Sequence, residues 1–132
     1  MISQKLRTIF LLAVALFVVH GIEEFLTGFY NIDWLFLLVF GKLGSSLAQT
    51  FIIYQLVLWA LLGLSYVLVI RGKGTRILSS IIGVIMLLEL QHLYEVAVTG
   101  KYYPGAYTAI LFPIIGFLFW KELIKEYKKY EL

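Results

Sequence analysis

Apolar residues run along this chain in long blocks of Leu, Ile, Val and Phe, and the polar residues gather at the breaks between them. A helix that crosses a bilayer needs about 20 mostly apolar residues. Four segments meet this length: residues 6–26, 46–70, 76–98 and 105–124. Thr27-Gly28 ends the first, RGKGTR (71–76) separates the second from the third, and TGKYYPG (99–105) separates the third from the fourth. Pro104 and Gly105 are suited to starting a new helix. The stretch 31–46 has an apolar core, Trp34 to Phe40, that is too short to span. It reads as an interfacial or re-entrant helix with Asn31 or Asp33 as its N-cap. The expected fold is an all-α integral membrane bundle of four transmembrane helices, one domain over residues 1–132, with this short helix after the first span.

Composition agrees. Of the 132 residues, 61% are hydrophobic and only 14% charged, more apolar surface than a soluble domain of this size needs. Cysteine is absent, which excludes disulfides and thiolate-bound metal. The first apolar run has Lys5 and Arg7 before it, as a signal peptide would. No small-x-small cleavage site follows, so it reads as a retained helix. The net charge is +3, but the basic residues flank apolar runs, which implies topology and no nucleic-acid partner. With four spans, nine of the 11 Lys and Arg residues fall on one side, in the N-terminus, in 71–76 and in the tail from Lys121 to Lys129. Lys42 and Lys101 lie opposite. Positive loops stay inside, so both termini are expected in the cytoplasm, at the plasma membrane in a prokaryote. The tail continues the last helix, with Tyr127 and Tyr130 near the lipid headgroups.

Ionisable residues within the spans are few and clustered. HGIEE contributes His20, Glu23 and Glu24 to the first span, and ELQHLYE contributes Glu89, His92 and Glu95 to the third. Each costs about 2.5–3.5 kcal/mol at mid-bilayer on insertion scales, so such groups face a bundle interior and mark function. Residues three and four apart share a helix face. The first and third spans run the same way, and each histidine lies seven residues before a Thr-Gly pair, so the two clusters share a depth in the outer half of the membrane. The pattern also repeats. His20, Glu23, Thr27, Gly28 and Tyr30 match His92, Glu95, Thr99, Gly100 and Tyr102. This is the pattern of a parallel repeat of two helices each, with one His and one Glu from each half.

HGIEE in a first membrane helix resembles the HXXEE family of small integral membrane proteins. The later H-x-x-E of His92 and Glu95 and the PGAYTA stretch (104–109) strengthen the likeness, which covers essentially the whole chain. The resemblance implies a metal or catalytic centre built from His20, Glu23 and Glu24, and it implies no substrate.

Several functions suit these residues. Imidazole and carboxylate ligands on facing helices suit a divalent metal such as zinc, iron or manganese. His20, Glu23, Glu24, Glu89, His92 and Glu95 are the candidate ligands, enough for two ions, and Glu89-x-x-His92 has the spacing used in carboxylate dimetal bundles. The substrate would be a lipid, isoprenoid or other apolar molecule reaching the centre sideways from the bilayer. Without metal, Glu23 or Glu95 would be the proton donor or base of an isomerase or cyclase, with aromatic side chains stabilising a cation. Ion or metal transport is a third reading, and a four-helix path would need a homo-oligomer for it. The plainest alternative is that the His–Glu pairs only hold helices together. Gln55, Gln91 and Tyr94 read as packing or supporting residues, Trp34, Trp59 and Trp120 as interface anchors, Asp33 as a cap, and Gly63 and Gly83 as points of close helix contact.

Overall fold

The computed structural model describes residues 2–44 and 46–129, and Tyr130 lies outside them. The described residues form an all-helical bundle with four helical spans long and apolar enough to cross a membrane: Gln4–Leu26, Leu47–Ile70, Thr75–Thr99 and Ala106–Lys129. The first two are the single helices α1 (Gln4–Leu26) and α3 (Leu47–Ile70). Between them a 3-10 turn, Phe29–Asn31, leads into the short helix α2 (Trp34–Phe40). Asp33 is the N-cap of α2, and its Oδ1 accepts from the Phe36 amide at 2.7 Å.

The third and fourth spans are each divided. The third consists of α4 (Thr75–Leu88) and α5 (Gln91–Thr99), joined through Glu89 and Leu90. There the Leu90 and His92 amides bond three residues back, to Leu87 and Glu89, so the helix tightens into 3-10 geometry. The fourth consists of α6 (Ala106–Ala109) and α7 (Leu111–Lys129). Pro113 explains that division, because it has no N–H and its ring crowds the carbonyl four residues back, that of Ala109.

α1 packs on α3 and α7, and α4 packs on the same two helices, so the spans close a ring in the order α1, α3, α4, α7. The core is a column of large apolar side chains, among them Phe10, Phe17, Leu62, Met86, Phe112 and Phe119. The opposite helix faces are apolar too. Leu11, Leu61, Ile77, Ile114 and Phe117 are all exposed, the expected surface of helices that face lipid. Gly83 meets the Trp120 ring, whose Nε1 donates to the Gly83 carbonyl at 3.2 Å. Trp120 thus joins two helices. Gly63 faces open space and makes no such contact.

One end of the bundle collects the basic residues. Glu126 accepts from the Ser3 amide at 3.1 Å, Lys5 pairs with Glu122 at 3.2 Å, and the Tyr127 hydroxyl donates to the Arg76 carbonyl at 3.2 Å. The N-terminus, the 71–74 loop and the C-terminal helix therefore meet there. The Thr27 and Thr99 turns terminate helices that run away from that end.

Candidate metal centre

Four side chains converge where α1 crosses the joint between α4 and α5. His20 and Glu24 lie one turn apart on α1, and both are buried. Glu89 and His92 are three apart across the 3-10 joint, where residues at that spacing eclipse one another. The tightening therefore sets the Glu89 carboxylate directly against the His92 ring, with Oε2 3.2 Å from Nε2. Glu89 Oε2 is also 3.1 Å from His20 Nε2, and Glu24 Oε1 is 3.5 Å from His20 Nε2 and 3.3 Å from His92 Nε2. The two Nε2 atoms are 3.2 Å apart. One ligand atom from each of the four residues lies within 4.8 Å of all the others.

The hydrogen bonds behind the rings define what the Nε2 atoms present. His92 Nδ1 is 2.7 Å from the Pro104 carbonyl, which can only accept, so Nδ1 carries a proton. In the neutral ring Nε2 then offers a lone pair to the centre. His20 Nδ1 is 2.7 Å from Thr108 Oγ1, and that hydroxyl donates to Glu23 Oε2. With its proton given to Glu23, the Thr108 oxygen accepts from His20, and the second Nε2 is a lone pair as well. Two imidazole nitrogens and two carboxylate oxygens thus gather lone pairs within 4.8 Å of one another. Ligands of a tetrahedral ion at about 2.0–2.2 Å stand roughly 3.3–3.6 Å from one another, close to the separations found here. The set can hold one divalent cation.

Small residues and a glutamine complete the surroundings. Gly105 backs both rings, and a Cβ there would stand 2.7 Å from His20 Cε1 and 3.0 Å from His92 Cε1. Its φ of +87° is also a conformation that suits glycine. Gln55, buried on α3, donates to Glu24 Oε2 at 2.9 Å and so leaves Oε1 turned to the centre. Gly21 makes room for it, since a Cβ at that position would meet Gln55 Oε1 at 2.5 Å.

A profile for a family described as "Protein of unknown function with HXXEE motif" matches residues 11–119. The chain belongs to that family. No curated protein and no solved structure matches it. Within the HXXEE motif the three fixed residues have different places. His20 and Glu24 turn into the centre. Glu23 turns to the loop before the fourth span and to that span's first turn, where Oε1 accepts from Tyr102 Oη at 2.6 Å and from the Tyr107 amide at 3.0 Å. Its Oε2 accepts from the amide and the hydroxyl of Thr108.

Of the six ionisable residues expected at the centre, His20, Glu24, Glu89 and His92 are brought together. Glu23 touches the centre only through Thr108. Glu95 stands outside it, because the tightened joint gives the inner face of the third span to Glu89 and His92. The two copies of the repeated pattern do share local geometry. Thr27 Oγ1 donates to the Glu23 carbonyl and Thr99 Oγ1 to the Glu95 carbonyl, both at 2.7 Å, and Gly28 and Gly100 both have positive φ. Their glutamate side chains go to different places. The sequence pattern gives no role at the centre to Thr108 or Gly105, although both lie in PGAYTA, whereas Gln55, a packing or supporting residue by sequence, supports Glu24.

A cavity of about 460 Å³ reaches the centre. His20, Glu24, Glu89 and His92 line its inner end together with Asp33, Gln55 and Gln91, while Leu35, Phe36, Val39 and Phe40 of α2 supply an apolar wall. Glu23 and Glu95 are not on its lining. Asp33 Oδ2 accepts from Tyr103 Oη at 3.0 Å and from Gln91 Nε2 at 3.3 Å, which ties the start of α2 to the wall beside His92. Burial first, and then the Asp33 charge, push the Tyr103 hydroxyl pKa above the ordinary tyrosine value.

Proposed function

We propose that this HXXEE-family chain is a membrane enzyme whose centre is one divalent metal ion, zinc, iron or manganese, held by His20, Glu24, Glu89 and His92. The observation that carries the reading is the convergence of four lone-pair atoms, each imidazole fixed from behind by a hydrogen bond at Nδ1. Lone pairs at such separations repel unless a metal ion or a proton stands among them. A bound ion would supply a Lewis acid or a nucleophilic hydroxide. Four protein ligands close a tetrahedral zinc site, whereas an ion taking five or six ligands keeps positions free toward the cavity. The apolar wall supports a lipid-like or isoprenoid substrate. The collection of basic residues at one end supports an orientation with both termini in the cytoplasm and the centre in the outer half of the membrane.

The test is elemental analysis of the protein purified in mild detergent, wild type beside His20→Ala and Glu24→Gln. The expected result is close to one iron, manganese or zinc per chain, lost in both variants. Zinc held by the four protein ligands with no exchangeable water or added ligand at a fifth position would point to a structural ion. A wild type that carries no metal and takes up none of the three from solution would overturn the metal reading. It would leave the buried His–Glu cluster as a metal-free proton-transfer centre.

A further inference from the structure

The cavity beside the centre has an unusual charge balance. Three carboxyl groups line its inner end, those of Glu24, Glu89 and Asp33, and among the described residues no Lys or Arg lines it anywhere. One divalent cation at the centre offsets the two carboxylates that would hold it. That leaves Asp33, which is buried and whose carboxylate accepts from Phe36, Gln91 and Tyr103 among the described residues. Apart from that ion, whose charge the two carboxylates already offset, a ligand bearing its own negative charge would meet no Lys or Arg and would be desolvated beside the Asp33 carboxylate. A neutral oxygen, in an alcohol, an aldehyde or an ester, meets no such penalty and can still bind a Lewis acid.

The rest of the cavity defines the body of the ligand. Its mouth carries Leu35, Val39 and Leu88, which are 47%, 57% and 67% exposed on the apolar outer surface. Leu88 is followed directly by Glu89, so the path from that surface to the centre is short. A volume of about 460 Å³ lies within the roughly 300–1,000 Å³ of small-molecule sites. It accommodates one apolar chain.

We infer that the cavity binds a single-chain apolar molecule with an uncharged oxygen head group, which enters from the lipid side between α2 and the end of α4, and that it rejects anionic lipids of the same chain length. The position of the head group rests on the metal reading above. The rejection of anions rests only on the carboxyl groups that line the cavity.

Native mass spectrometry of the protein released from detergent counts metal and ligand on the same particle. The probes are 1-decanol, decanal and, at pH 9, decanoate. One saturable decanol or decanal adduct is expected per chain, with decanoate at least tenfold weaker. Leu88→Trp and Val39→Trp, two independent changes at the mouth, should lose the decanol adduct and keep the metal. Decanoate binding as tightly as decanol would overturn the inference, as would the absence of any saturable adduct or adducts that persist in both mouth variants. A chain without metal that still prefers decanol and loses it in the mouth variants would sink the metal centre alone and support the neutral-ligand cavity.

Discussion

Glu23 accepts two hydrogen bonds from Thr108, from its amide at 2.8 Å and from its hydroxyl at 2.5 Å. That pairing makes the hydroxyl oxygen an acceptor for His20 and so puts the His20 proton on Nδ1, leaving a lone pair on Nε2 toward the centre. A motif glutamate that never reaches the centre thereby sets the state of a ligand. Partners of this outer kind commonly change metal affinity by about 10–100-fold.

Thr108→Val, which keeps the shape and removes the hydroxyl, should therefore weaken metal binding by about 10–100-fold, and Thr108→Ser should restore most of it. Competition with a chelator of known affinity measures both. If Thr108→Val holds metal as tightly as wild type, the Glu23–Thr108–His20 chain does not orient the ligand.

Glu89 and Glu95 provide a sharper contrast. Glu89→Gln should lose metal by more than the roughly 10–100-fold of an outer partner, whereas Glu95→Gln should leave metal content unchanged. Metal analysis of the two purified variants decides it. Loss of metal in Glu95→Gln would mean that the third span is a regular helix with a different inner face.

The same pair shows what the sequence could and could not convey. The four spans were legible because apolar length alone sets them, and the short helix with its Asp33 cap was legible from a cap residue before a short apolar run. All four residues that meet at the centre were legible among the six candidates, because ionisable groups in such spans are rare. The choice of Glu89 over Glu95 was not, since it depends on a 3-10 turn at Glu89-Leu90 that a regular helical spacing does not contain. Thr108 was hidden for another reason. It lies 88 positions from His20, and only the folded chain brings the two together. The divided fourth span, by contrast, had a visible cause in Pro113 that the four-span pattern passes over.

Gly105 and Gly100 separate backbone from packing. Both have positive φ, +87° and +65°, but a Cβ on Gly100 meets open space while one on Gly105 meets both imidazoles. Gly100→Ala should cost about 1–2 kcal/mol, the usual penalty of a left-handed non-glycine residue, and retain metal. Gly105→Ala should cost more and lose the metal. Thermal unfolding in detergent and metal content, measured together, check this, and equal behaviour of the two variants would contradict the close packing of Gly105 on the rings.

Tyr103 and Asp33 predict a response to alkali. The Tyr103 hydroxyl donates to Asp33 Oδ2 at 3.0 Å, and burial together with the Asp33 charge raises its pKa. A tyrosine in the unfolded chain ionises near pH 10. The folded value lies higher, so the folded chain holds this proton more tightly. Its contribution to stability is complete below about pH 10 and is lost as pH rises through the folded pKa. Ionised, Tyr103 would stand against the carboxylate that caps α2, so the α2 wall of the cavity should loosen in the same pH range. The difference in phenolate absorbance between wild type and Tyr103→Phe isolates this group, and it should appear later in the titration than an ordinary tyrosine. In Asp33→Asn the negative charge is gone, and the Tyr103 step should move back toward the ordinary value. A Tyr103 that titrates near pH 10 in both backgrounds would mean that Asp33 does not anchor α2 through this hydroxyl.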